Sequence, residues 1–216
     1  MSSRDAILNR IRTALAHEPA QETPPVAEVW PRVNPAPEAM VQRFIEELKA
    51  VQGETYRVSS VEEASRKLAE LAAEAGWDTA CAMDRPLCRQ VAAALPPEKL
   101  LWVPADPKPS ELAQHSVGLV EADLLLADTG SAMIACGTPS DRLLCYLPPA
   151  CVVVATLDRL CEHLPAAWER IAPRVADPQT RGEFVFITGP SRTADIEKIL
   201  ILGVHGPKRV VVLIVG

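Results

Sequence analysis

Between residues 38 and 103 the chain repeats one pattern: an amphipathic run long enough for a helix, a stop, and a short apolar run suited to a strand. Residues 38–50 place Met40, Val41, Phe44, Ile45 and Leu48 on one helical face, and Gly53 ends the run where a C-terminal cap belongs. Residues 55–58 read as a strand. Residues 61–75 form the next helix, with Leu68, Leu71 and Ala72 inward and Gly76 as its stop. A strand over 79–83, a helix over 86–94 and a strand over 100–103 follow. The last of these helices opens on Pro86, where a missing N–H costs little. Strands separated by helices pair in parallel, with the helices packed on the sheet faces.

Beyond residue 103 the rhythm changes. Residues 112–120 read as a helix and a turn. Residues 124–127 are a strand ending on Asp128-Thr129-Gly130, and 132–135 return after a tight turn, which reads as a hairpin or a sharply bent pair with Gly130 supplying the turn. Residues 137–142 read as a loop, and 143–147 run into Pro148-Pro149. The valines of 151–155 mark a buried strand. A helix over 157–171, loosely broken by Pro165, precedes a loop over 172–182. The closing stretch, 184–215, reads as strand, polar turn, short helix, turn and strand, the arrangement by which α/β proteins hold ligand-facing groups at strand carboxyl ends.

Ahead of this body, residues 3–16 form an amphipathic helix with Ile7, Leu8, Ile11 and Leu15 on one face and Ser2 or Ser3 as its cap. The segment from Pro19 to Pro37 is proline-rich, hence extended and semi-rigid. The expected organisation is therefore an N-terminal helix and linker over 1–37 and an α/β domain over 38–216. The detached helix either folds back or packs on a partner.

A net charge of −6 argues against a nucleic-acid partner, which would need a basic face. Sparse aromatics leave no stacking platform for single strands. Arg4, Arg10 and Arg12 interrupt the first apolar positions, so no secretory signal is expected. No apolar run reaches the length of a transmembrane segment, and a cytoplasmic protein is the expectation. Six cysteines without a Cys-x-x-Cys pair read as reduced structural thiols. The four histidines lack ligand spacing, so no metal is expected. There is no G-x-S-x-G, so a hydrolase nucleophile elbow is unsupported.

Three polar clusters remain. Asp128-Thr129-Gly130-Ser131 offers a carboxylate, hydroxyls and backbone N–H groups to a polar ligand, and also suits an Asx-type turn. Gly189-Pro190-Ser191-Arg192-Thr193-Ala194-Asp195, between a strand and an expected helix, offers N–H groups and hydroxyls to an anion. It serves equally as a cap through Ser191 or Thr193, with Asp195 and Glu197 facing the helix dipole. It is neither a Walker A motif nor G-x-G-x-x-G. His205-Gly206-Pro207-Lys208 places a histidine in a turn, as a proton shuttle, an anion donor or simply a satisfied polar group.

In this order, the three clusters resemble the lactate-utilization protein C family, whose members consist of the LUD domain. The strongest match is Ile187-Thr188-Gly189-Pro190-Ser191-Arg192-Thr193-Ala194-Asp195-Ile196-Glu197, continued by Leu202-Gly203-Val204-His205-Gly206-Pro207. Ala127-Asp128-Thr129-Gly130-Ser131 is a second match, with serine where the family commonly has threonine, and Leu147-Pro148-Pro149 before a strand is a third. The resemblance implies a three-layer α/β/α fold with a mostly parallel sheet, like the ribose-5-phosphate isomerase and CoA-transferase arrangement. It also implies a component of a bacterial system that oxidises L-lactate to pyruvate together with two iron–sulfur partner proteins. The iron–sulfur clusters are expected in those partners, and no cofactor on this chain.

A small anionic ligand or an electron carrier would then sit in a cleft formed by Asp128, Thr129, Gly130, Ser131, Gly189, Pro190, Ser191, Thr193, Asp195, Glu197, His205 and Gly206. Two other readings stay open. One is a stand-alone enzyme on a phosphorylated or CoA-linked metabolite, with Glu197 or Asp128 as base and His205 as acid or oxyanion donor. The other is a non-catalytic scaffold subunit.

Overall fold

The computed structural model describes residues 2–16, 30, 32–175, 183–193 and 201–216. The chain divides into two units, Met1–Pro31 and Arg32–Gly216. In the first, α1 (Ser3–Leu15) opens on a capping box in which the Ser2 hydroxyl accepts from the Asp5 N–H and the Asp5 carboxylate accepts from the Ser2 N–H. Ile7, Ile11 and Leu15 are exposed. Most of the proline-rich linker, residues 17–29 and 31, lies outside the described residues. Residues 32–36 belong to the second unit, where the Glu162 carboxylate accepts from the N–H groups of Val33 and Asn34, and Arg32 pairs with Glu169 at 3.3 Å.

The second unit starts with α2 (Pro37–Ala50), β1 (Glu54–Val58), α3 (Val61–Ala75), β2 (Ala80–Ala82), α4 (Pro86–Val91) and β3 (Leu100–Trp102). This is the alternation read from the sequence. After α5 (Pro109–Leu112) come β4 (Val117–Glu121), β5 (Leu124–Leu126), β6 (Ser131–Cys136), α6 (Pro139–Leu144) and β7 (Ala150–Thr156). The chain closes with β8 (Leu160–Cys161), α7 (Leu164–Val175), β9 (Glu183–Ile187), β10 (Arg192–Thr193), β11 (Ile201–Leu202) and β12 (Arg209–Val215).

Six strands form a parallel sheet in the order β1-β12-β7-β4-β2-β3, with helices on both sides. β7 and β12 are interior strands with both faces covered, which is why they read as unbroken apolar runs rather than alternating ones. Phe44 and Leu48 of α2 and Leu68 and Leu71 of α3 are fully buried in the core around this sheet. Each such side chain contributes about 2 kcal/mol of burial energy.

A second sheet runs β8-β5-β6-β9; of the two readings of residues 124–135, the hairpin is the one present, as the β5–β6 pair with Leu126 opposite Ser131. β6 pairs antiparallel with β9, Ala132 facing Ile187. The two apolar runs of the closing stretch therefore lie in different sheets, β9 in the second and β12 in the first.

Three local expectations change. Residues 117–121 are a strand, not part of a helix and turn; all five are buried on a central strand, which erases the alternation that marks a half-exposed one. The expected loop at 137–142 contains α6, started by a second capping box between Thr138 and Asp141 with Pro139 at its first position. The expected helix from 157 starts only at Leu164, after a 3-10 turn and β8. Pro165 lies in its first turn, where no N–H is needed, and His163 caps the helix by accepting from the Ala166 N–H on Nδ1 at 3.0 Å. The helix runs to Val175, and Pro173 in its last turn removes a single hydrogen bond. Residues 192–193 form β10, which pairs antiparallel with β11, and the short helix expected to carry Asp195 and Glu197 falls outside the described residues. Residues 194–200 between them lie outside the described residues.

Candidate ligand site

The β5–β6 turn is built by close approach. Gly130 has φ of 60°, and a Cβ there would collide with the Leu48 backbone nitrogen and stand 2.8 Å from Leu48 Cα. Only glycine lets the turn rest on the backbone of α2. The next residue, Ser131, is buried, and its hydroxyl lies 2.8 Å from that of Thr188 at the end of β9. Gly189 rests on the same helix end, where its Cβ would be 2.9 Å from Val51 Cγ2. The first two clusters thus meet on the C-terminal turn of α2.

Ser191 joins the second cluster to the third. Its N–H donates to the Pro207 carbonyl and its carbonyl accepts from the Gly203 N–H, each at 2.8 Å. A Cβ on Gly206 would be 3.1 Å from Ser191 Cβ. Pro190 is buried, Ser191 and Thr193 are half-buried, and His205 is exposed. Asp128 is half-buried; its N–H donates to the Glu162 carbonyl, and its carboxylate accepts from the Thr129 hydroxyl at 3.3 Å. Of the twelve site residues read from the sequence, Asp195 and Glu197 lie outside the described residues, and the other ten fall on these linked loops.

Their location differs from the carboxyl-end arrangement expected. Asp128 and Gly189 do follow the ends of β5 and β9, but those strands belong to the second sheet. Measured on the parallel sheet, the loops lie where strands begin: Pro149, just before β7, accepts through its carbonyl from the N–H groups of Lys208 and Arg209 at the start of β12. A concavity of 310 Å³ lies elsewhere, lined by Leu68, Ala72, Trp77 and Lys99 among others.

The carboxyl ends of the parallel strands hold a group that the sequence reading missed. The chain reverses its direction across the sheet between β2 and β4, the usual ligand crevice of such sheets. Here that place is filled by the protein's own charges. Arg85, after β2, donates to Asp123 at 3.0 Å and to the Ala135 carbonyl. Asp123 also accepts from the Ala135 N–H at 2.7 Å and pairs with Arg174. Glu121, at the end of β4, accepts from Arg159 at 2.8 Å and from the Leu87 N–H at 2.9 Å. Burial opposes the charge on Arg85, but Asp123, Asp141 and Glu121 outweigh it and raise its pKa. Because Arg85 bridges the end of β4 to β6, the network joins the two sheets. Each of these residues alone looks like a solvated surface charge, and only the topology assembles them.

All six cysteines are free and buried. Burial pushes the thiols of Cys81, Cys136 and Cys151 up to about 12 and raises those of Cys88 and Cys145 as well. These five are protonated thiols rather than nucleophiles. Among the described residues no helix is long and apolar enough to cross a membrane, and no three His, Cys, Asp or Glu residues are grouped to hold a metal ion.

A six-stranded parallel sheet with flanking helices and a smaller appended sheet defines an α/β protein of the type seen in a solved DUF162 family protein from Deinococcus radiodurans. The two superpose with a TM-score of 0.63 at 17% identity, over 84% of this chain and 99% of that one. The LUD domain family model matches residues 41–215, and the chain belongs to that family. Similar proteins include lactate utilization protein C of Bacillus pumilus, 34% identical over 107 residues, or 49% of this chain and 44% of that protein. The protein of the same name from Shouchella clausii is 30% identical over 121 residues, 55% of this chain and 53% of that one. That of Bacillus subtilis is 28% identical over 104 residues, 48% of this chain and 43% of that one. The chain spans about half the length of the curated relatives it matches.

Proposed function

We propose that this chain acts in lactate utilization, as a component of a system that oxidises L-lactate to pyruvate with two iron–sulfur partner proteins. In this reading the partners carry the electrons, and the chain contributes a small-anion site on the loops around Ser131, Ser191 and His205. The observation that carries the reading is its similarity to relatives named lactate utilization protein C, within a family match that spans the whole α/β body. The convergence of the three loops supports the location of the site: the Ser191 and Thr193 hydroxyls and the His205 ring are collected on segments held by backbone hydrogen bonds. Such pre-ordered donors bind an anion with little further loss of freedom.

Deleting the coding sequence from its host tests the reading. Growth on L-lactate should fail while growth on pyruvate continues, and a tagged copy should co-purify with proteins containing iron and acid-labile sulfide. Undiminished growth of the deletion strain on L-lactate would remove the proposal.

A further inference from the structure

We propose that Lys208, outside the residues read from the sequence as the site, is the cation that recognises the carboxylate of a small organic acid at the Ser191 loop. The inference rests on the reading of these loops as an anion site and names the residue that gives them their charge selectivity.

The turn 203–206 carries a glycine at each end, and each lies under a side chain. Gly203 has φ of 73°, and a Cβ there would collide with Lys208 Cγ and stand 3.0 Å from Cε. The lysine stem therefore lies flat across Gly203 out to Cε. At the other end, the Ser191 side chain lies on Gly206, whose Cβ would be 3.1 Å from Ser191 Cβ and 3.5 Å from its Oγ. The two bare positions let a hydroxyl and an ammonium stem fold onto one short turn.

The frame beneath them is fixed. Ser191 is held through both its N–H and its carbonyl, and the Lys208 N–H donates to the Pro149 carbonyl at 2.8 Å. Lysine, with four rotatable bonds, loses much rotamer freedom when it is ordered. Packing its stem on Gly203 takes part of that loss before a ligand arrives. Arg192, which follows Ser191 and is exposed, adds a second positive charge on the same segment. A hydroxyl and an ammonium stem packed on the two ends of one turn suit a monocarboxylate, which takes one hydrogen bond and one charge-assisted contact. Gly203 is then a positioning residue acting through Lys208.

The test is a titration of the isotope-labelled chain with L-lactate and, separately, with orthophosphate, following the amide signals of Ser191, Gly203 and Lys208. Wild type should shift with L-lactate more strongly than with orthophosphate. Lys208→Gln should weaken L-lactate binding at least about tenfold, Lys208→Arg should restore it to within about threefold, and Gly203→Ala should weaken it in wild type but add nothing to Lys208→Gln. Unchanged L-lactate binding by Lys208→Gln would overturn the role of Lys208 and leave the anion site standing. Tighter binding of orthophosphate would overturn the carboxylate class. If wild type shifts with neither anion, the anion site itself fails and the role of Lys208 with it.

Discussion

The hydroxyls of Ser131 and Thr188 lie 2.8 Å apart, and this contact fastens the base of the β5–β6 turn to the end of β9. Ser131 is 4% exposed, so its hydroxyl has little access to water once its partner is removed. Ser131→Ala and Thr188→Val should each destabilise the chain by about 1 kcal/mol, and the double substitution should cost less than the sum. Urea denaturation of the four proteins measures the coupling.

The approach of Gly130 to the α2 backbone makes a steeper prediction. Gly130→Ala forces a side chain into the left-handed region and against Leu48, and the obstacle is main chain that cannot step aside. Destabilisation by more than about 2 kcal/mol is expected. A thermal melt compared with wild type reads it directly.

Much of this geometry was legible beforehand, for local reasons. The helix–strand alternation over 38–103 and the Gly130 hairpin have periodicities and stops that short-range rules read well. β4 was not legible, because Val117, Leu119 and Val120 are buried on both faces and show no strand period. α6 is legible in principle, since Thr138-Pro139-Ser140-Asp141 is a capping box with proline at the first position, but six residues are too few to show a helical period. The ten linked site residues could be named as clusters. Their position at the amino end of the parallel sheet could not, since it depends on β9 and β12 joining different sheets.

The buried charge network sets a third prediction. Asp123, itself buried, pairs with Arg85 at 3.0 Å and accepts from the Ala135 N–H, so Asp123→Ala takes the nearest anion from the mostly buried Arg85 and the acceptor from that N–H. The expected loss is about 3–5 kcal/mol, far beyond that of an exposed ion pair. Equilibrium unfolding of this variant beside Glu38→Ala, whose pair with Arg57 is exposed, supplies the contrast.

An acid limb should come in part from Glu54. Its carboxylate receives two hydrogen bonds from Arg209, at 2.7 and 2.9 Å, which lower its pKa below the ordinary 4.5 despite opposition from burial. A depressed carboxylate contributes stability that is complete above its unfolded pKa and is lost as pH falls through the lower folded value. Glu54→Gln should therefore be less stable than wild type at neutral pH, and the difference should shrink below pH 4.5. Melting temperatures from pH 7 down to the acid transition test the sign.

The thiols give a chemical check on the core. Cys81, Cys88, Cys136, Cys145 and Cys151 are buried with raised pKa values, so they should resist a thiol-titrating disulfide reagent in the native chain at neutral pH and react at once in denaturant. Rapid native reaction at several of these sites would mean that the core is more open than the structure shows.

The central claim is that the loops around Ser191 and His205 do the work of this LUD domain in lactate utilization. It is tested most directly by complementing a deletion strain with the Ser191→Ala/His205→Ala double variant. Both side chains lie outside the apolar core, so the protein should accumulate and melt close to wild type. The account predicts growth on pyruvate but failure on L-lactate. Growth on L-lactate at the wild-type rate, with the variant as the only copy, would contradict it.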